Sequence, residues 1–295
     1  MTNNRTQAGQ RFGTAEAGTG KRTRRLPAPS LAALLGVVWL VIALYPVYYM
    51  FITTLRSRSE FLEASPWLPP LTPTLENYIS VLRSGFGLYF INSVVVTLLT
   101  VTLIVFVSFL AAYVISRVRS RAVYFTFNLF LLGLAIPLQA AIVPIYILII
   151  KMGLYDTLLA LVFPQVAFGI PLTVLILVNF IRDIPNELYE SMVIEGAGHS
   201  RLLRSLVLPL SRPALITVII YNALQVWNNF LFPLVLTQSS NIRVLPLALR
   251  EFQGQFGINV PGLMAAVFLS ALPIIFLYIV ARRQLIGGLT AGFGK

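Results

Sequence analysis

Cysteine is absent from this chain of 295 residues, and histidine occurs once, at His199. Without thiols there is no disulfide framework, no thiolate metal site and no cysteine nucleophile. A single histidine excludes the paired-histidine zinc site of a metalloprotease. Acid is scarce as well, with ten Asp and Glu against 22 Lys and Arg, and charged residues make up only 11 %. Hydrophobic residues make up 57 % and the mean hydropathy is +0.83, more apolar surface than a soluble domain of this length could hide. The class implied is an all-α integral membrane protein, one helical domain behind a tail. The net charge of +12 does not form one basic stripe but flanks the apolar runs, so no nucleic-acid partner is expected.

Residues 1–30 are rich in Gly, Thr and Arg, nearly lack large apolar side chains, and read as a disordered basic tail. The stretch AGTGKRT there resembles a phosphate loop only superficially. The pattern G-x-x-x-x-G-K-[ST] would need Gly at Ala15 and Ser or Thr at Arg22, and no strand precedes it. This chain is expected to bind no ATP and no other cofactor.

The first apolar run, residues 31–52, would form a helix about 33 Å long, enough to cross a hydrocarbon core of about 30 Å. It ends without the small-residue cleavage site of a signal peptide, so it reads as a retained span. Further runs cover about 88–115, 123–150, 158–180, 213–236 and 262–281, which makes six spans. An even count puts both termini on one side. That side carries sixteen of the Lys and Arg residues and the other side six, so the positive-inside bias places both termini and the loop at 183–213 in the cytoplasm.

All ten acidic residues lie outside these spans. Carriers driven by protons commonly hold ionisable groups at mid-membrane, and an aspartyl enzyme needs two buried Asp. Neither provision is made here, so uphill transport would draw its energy from a partner. The spans do carry amides, including Gln165 and a group at Tyr221, Asn222, Gln225, Trp227, Asn228 and Asn229. On a continuous helix Asn222, Gln225 and Asn229 would share one face. Two readings stay open: hydrogen-bonded bridges between helices, or the wall of a path for a sugar, which amides and aromatics suit.

Residues 186–213 are mixed polar and apolar between two spans, and hold Glu187, Glu190 and Glu195 beside His199. Pro185 suits a helix start and Asp183 is placed to cap it. A first helix to Glu195 would put Leu188 and Met192 on one face and Glu187, Glu190 and Ser191 on another. Gly196 and Gly198 then free a turn, since glycine takes positive φ at little cost. A second helix from about Ser200 to Leu208 would set Leu202, Leu203, Leu206 and Val207 against Arg201, Arg204 and Ser205, with Pro209 as its stop.

This segment resembles the EAA loop of binding-protein-dependent ABC importer permeases, in which E-A-A-x-x-x-G is followed by x-L-P. The matching residues are Glu190, Ser191, Met192 and Gly196, then Leu208-Pro209, with Glu195-Gly196-Ala197 where the family usually has Asp-Gly-Ala. Departures at Ser191, Met192, Glu195 and Leu203 touch fine packing rather than the pattern. Other stretches resemble the carbohydrate-uptake branch and its maltose-type second permease: Leu71-Thr72-Pro73, Glu76-Asn77-Tyr78, Asn92-Ser93-Val94, Ala111-Ala112-Tyr113, Trp227-Asn228-Asn229-Phe230 and the closing GGLTAGFGK.

The resemblance covers residues 31–295 and implies a sugar-importer permease subunit of a bacterial or archaeal plasma membrane. Its implied partners are a second permease, two ATPase subunits that carry ATP and Mg, and an extracytoplasmic binding protein. Glu190, Glu195, Gly196, Ala197, Leu208 and Pro209 would couple to the ATPase, and Asn222, Gln225, Trp227, Asn228 and Asn229 would border the path. His199 stands at a variable turn position of the motif and receives no catalytic role. An importer of glycerol-phosphate-like or polyol compounds, and a stand-alone secondary carrier, are the alternatives.

Overall fold

The computed structural model describes residues 31–291 apart from 64, 66, 255 and 256, with side chains described to 250 and over 259–280. The expected tail at 1–30 and residues 292–295 of the GGLTAGFGK end lie outside the described residues. Contacts divide the chain at Pro46 into two units, Met1–Pro46 and Val47–Lys295.

Helix α1, Leu31–Thr54, runs across that boundary. In the first unit its side chains are almost all exposed, with Leu31 at 73 % and Trp39 at 71 %. Such a surface is stable only against lipid or protein. In the second unit the end of α1 is buried at Ile52, Thr53 and Thr54, and the Thr54 hydroxyl bonds that of Tyr78 at 2.7 Å.

The second unit continues with short helices α2 (Arg58–Glu63) and α3 (Glu76–Val81), then turns at Gly85, φ 88°, into α4 (Gly87–Arg117). Ser120 caps α5 (Arg121–Gly133), and α6 (Leu138–Lys151) follows Pro137. Thr157 caps α7 (Leu158–Arg182), which contains Pro164 and Pro171. The loop region holds α8 (Asn186–Ile194), α9 (His199–Leu202), a wider turn at Leu203–Val207 and α10 (Leu208–Leu210). Then come α11 (Arg212–Trp227), α12 (Leu231–Leu236), α13 (Leu245–Ala248) and α14 (Val260–Ala291). A minimal antiparallel hairpin pairs β1 (Gln253–Gly254) with β2 (Gly257–Ile258).

Helices α4 and α7 pack along most of their length. Small residues on α4 are buried, Thr100, Ser108 and Ala112, and Gly169 on α7 leaves room for Ile104 of α4. A Cβ at Gly169 would press into Ile104 and stand 2.9 Å from Asn222 Oδ1, so this glycine is where α4, α7 and α11 meet.

Four helical segments are long and apolar enough to cross a membrane: Leu31–Thr54, Glu76–Arg117, Leu158–Arg182 and Val260–Val280. The number rises to six if each of two bent pairs counts as one span. These are Arg121–Gly133 with Leu138–Lys151, bent by 104°, and His199–Leu210 with Arg212–Trp227, bent by 73°. The run at 213–236 is therefore not one continuous helix. It breaks at Asn228–Phe230, where Pro233 has no N–H to return to Asn229 and Asn229 Oδ1 instead accepts from Phe232 N at 3.1 Å.

Candidate functional site

Two features stand out in the second unit, an acidic helical loop and an amide-lined cleft. In the loop, α8 starts after Pro185, which holds the cap position with no side-chain bond, so the expected Asp183 cap is not made. Its end is a complete Schellman turn. Gly196, φ 78°, donates to Val193 O and Ala197 donates to Met192 O, each at 2.9 Å, and Ala197 is buried. The second glycine differs: Gly198 is extended, φ −79° and ψ 170°, so its freedom is not used.

The buried face of α8 is also not the expected one. Tyr189 enters the core with Met192 half-buried, whereas Leu188 is exposed. Leu188, Val193 and Ile194 stand outside with Glu187, Glu190 and Glu195, and Ile194 is 86 % exposed. The next helix divides as its periodicity predicts, with Leu202, Leu206 and Val207 buried and Arg201, Arg204 and Ser205 exposed. Pro209 does not stop it. The proline sits in the first turn of α10, where its missing N–H costs little, and the turn comes at Ser211.

The last turn of α4 grips this loop at both ends. Arg117 lies over the Tyr189 ring, 3.3 Å from its centroid, and donates to Asn186 Oδ1 at 2.8 Å and to Ile184 O at 3.4 Å. One turn earlier, the Tyr113 hydroxyl and His199 Nδ1 share a hydrogen bond at 3.2 Å. His199 thus has a place in the structure. From the sequence alone, Arg117 counts only as one of three basic residues after a span and Tyr113 only as a family-like residue. Their spacing of four, one helical turn, was the available signal, but it names no partner.

The cleft has a volume of about 480 Å³ and lies among α4, α7, α11 and the break before α12. Gln165, Tyr221, Gln225, Asn228 and Asn229 border it, and none of its described lining residues is charged. Asn222 also lies in the wall, but it is buried and its amide is used, donating across to Thr173 Oγ1 on α7 at 2.9 Å and back to Val218 O of its own helix at 2.8 Å. Gln225 donates to the Tyr221 hydroxyl at 3.1 Å. Trp227 lies away from the cleft, with Nε1 on Ser270 O at 3.1 Å and its ring edge-on to Phe90. Gln165 uses its amide NH2 on Leu161 O at 2.7 Å and leaves a buried Oε1 without a partner.

Between α6 and α7, Asp156 clasps the end of α12. It adopts φ 60°, donates its N–H to Leu236 O, and accepts from the N–H groups of Gln238 and Ser239 at 2.8 and 2.9 Å and from the Ser239 hydroxyl. The Ser239 hydroxyl, with these two N–H groups, holds its carboxyl below the usual carboxylate range.

Helices long and apolar enough to cross a membrane, an uncharged polar cleft and an exposed acidic loop are the features that a membrane permease component combines. The chain belongs to the binding-protein-dependent transport system inner membrane component family, whose model matches residues 104–286. It is 41 % identical over 258 residues to ABC transporter permease protein ORF2 of Caldicellulosiruptor sp., covering 88 % of this chain and 94 % of that one. It is 32 % identical over 262 residues to the trehalose/maltose transport system permease protein MalG of Thermococcus litoralis, covering 87 % and 93 %. A bacterial ABC transporter involved in import of the acidic polysaccharide alginate shares the fold, with a TM-score of 0.77 at 20 % identity over 86 % of this chain and 95 % of that one. The protein is thus a multi-pass subunit of an ABC permease.

Proposed function

We propose that this chain forms one wall of the translocation path for a neutral sugar and couples that path to ATP hydrolysis on separate subunits. The observation that carries the proposal is the shared scaffold: α4 and α11 border the amide-lined cleft and also pack against the acidic loop. Exposed Glu190, Glu195 and the apolar residues beside them form the ATPase-facing surface, with Gly196 and Ala197 setting its elbow and Leu208-Pro209 its exit. ATP and Mg reside on the two ATPase subunits. A second permease completes the path, and an extracytoplasmic binding protein delivers the solute. In this arrangement the six-span unit at 31–295 has both termini and the 183–213 loop in the cytoplasm.

Gln165, Gln225, Asn228 and Asn229 offer donors and acceptors to hydroxyl groups, and Tyr221 offers a ring. The absence of lysine and arginine from the described lining argues against a glycerol-phosphate-like solute, whose charge calls for cations. Relatedness to a trehalose/maltose permease favours the carbohydrate branch. Membership of a binding-protein-dependent family argues against a stand-alone carrier.

The test is uptake of radiolabelled trehalose and maltose by proteoliposomes holding the transporter purified through a tag on this chain. Uptake that needs both ATP and the binding protein, and is abolished by Gly196→Asp, supports the proposal. Uptake driven by an ion gradient through this chain alone would overturn it.

A further inference from the structure

Among the described residues, helices α1, α4, α7 and α14 are the longest, and only α4 lacks proline. The others carry Pro46, Pro164 and Pro171, and Pro273, each of which removes a backbone hydrogen bond and softens the helix. The proline-free helix is also fastened at both of its ends. At its beginning Asn92, only 6 % exposed, donates to Asn241 O at 2.8 Å and Arg243 O at 2.9 Å. Its neighbour Ser93, 4 % exposed, accepts from Leu245 N at 2.8 Å. These bonds seize the segment between α12 and α13 by its backbone, whatever its side chains. At the other end Tyr113 and Arg117 seize the acidic loop. Ser93 and Tyr113 are about 30 Å apart along the helix axis. Midway, fully buried Ile104 seats on Gly169 and borders the cleft.

We infer that α4 is a rigid strut: it joins the 239–245 loop on the binding-protein side to the coupling loop on the ATPase side. Engagement at either end tilts the whole helix, and the tilt moves the cleft wall at Ile104. The inference rests on the functional reading above and adds the element that carries the signal. Tyr113, Arg117, Asn92 and Ser93 are positioning residues in it. The gripping bonds, rather than mere burial, are what it requires. Tyr189 supplies an aromatic face to Arg117 while its buried hydroxyl has no partner, so phenylalanine should serve there and leucine should not.

The experiment measures ATP hydrolysis by the transporter purified through this chain, with and without saturating binding protein. Phe106, 62 % exposed on α4 and outside both grips, becomes proline in one variant and leucine in another. The strut requires that Phe106→Pro lower the stimulation by roughly fivefold or more at unchanged basal hydrolysis, while Phe106→Leu keeps it. Arg117→Ala, Asn92→Ala and Tyr189→Leu should lower the stimulation too, and Tyr189→Phe should retain it. If Phe106→Pro fails to assemble, the Tyr189→Leu and Tyr189→Phe pair decides. Equal stimulation in that pair and in Arg117→Ala would overturn the strut while leaving the importer reading intact. A wild-type chain that brings down no ATPase would overturn the importer reading, and the strut with it.

Discussion

The acidic loop and the cleft are built from opposite materials. The loop is held by backbone geometry and by groups that satisfy one another: a Schellman turn at Gly196, a buried Tyr189, and Arg117 forked between Asn186 and Ile184. The cleft is made from a helix that breaks at Asn228–Phe230 and from amides only partly used by the protein, with Gln165 Oε1 left over. A surface that must transmit displacement needs one conformation. A wall passed by a solute needs spare hydrogen-bonding capacity, and its burial cost is met only while something polar is present. The same α4 serves both regions because it is long, carries no proline and is buried against α7 between them.

The sharpest way to break the contrast is Gly196→Asp. Its Cβ meets nothing within 4 Å, so the harm is the left-handed backbone, roughly 1 kcal/mol, together with a second acid directly beside Glu195. Membrane insertion should persist while ATP-driven uptake is lost; retained uptake would place coupling elsewhere. Gly169→Ala attacks the junction of α4, α7 and α11 and should destabilise by about 1–3 kcal/mol, read as a lower thermal midpoint in detergent.

Because the chain has no cysteine, Val114→Cys and Ile194→Cys give a clean spin-label pair across the loop grip. Arg117→Ala should broaden their distance distribution and Arg117→Lys should broaden it less, since lysine keeps charge but loses the fork. On the cleft side, Gln225→Leu should raise the KM for uptake with little effect on stability, whereas Asn222→Ala should cost about 0.6–2 kcal/mol because its amide bridges helices. If both act only on stability, the cleft amides are structural.

The smallest effect belongs to Asp156. Its carboxyl titrates below the ordinary value of 3.8, so its stabilising contribution is full above that value and fades as pH falls through the lower folded value. Asp156→Asn should flatten the acid limb of a stability-against-pH curve, and an unchanged limb would remove the clasp from the account.

Much of the loop was legible in its residues. Glu195-Gly196-Ala197 marked the elbow because positive φ favours glycine, and the leucines at 202 and 206 marked a buried face because helical periodicity sorts them. Leu188 was misleading. Both it and Tyr189 are apolar enough to be buried, and only the position of the Arg117 guanidinium selects the ring. The cleft was half legible. Amides within apolar runs stood out, but whether each faces a neighbour or a cavity depends on helices distant in sequence. Hence Asn222 proved a bridge within the wall, Trp227 lies away from the cleft, and the common face drawn through Asn229 dissolved at the break.

By itself the sequence determined the membrane class, the apolar helices and the acidic loop with its glycine elbow. These follow from local composition and periodicity, since the solvent of a segment and its turn chemistry depend mainly on the segment. Only the tertiary structure decided that α4 grips both loops, that Gly169 is the meeting point of three helices and that α11 ends at Trp227. Those facts belong to pairs of residues far apart along the chain, such as Asn92 with Arg243 and Tyr113 with His199, and no single segment contains them.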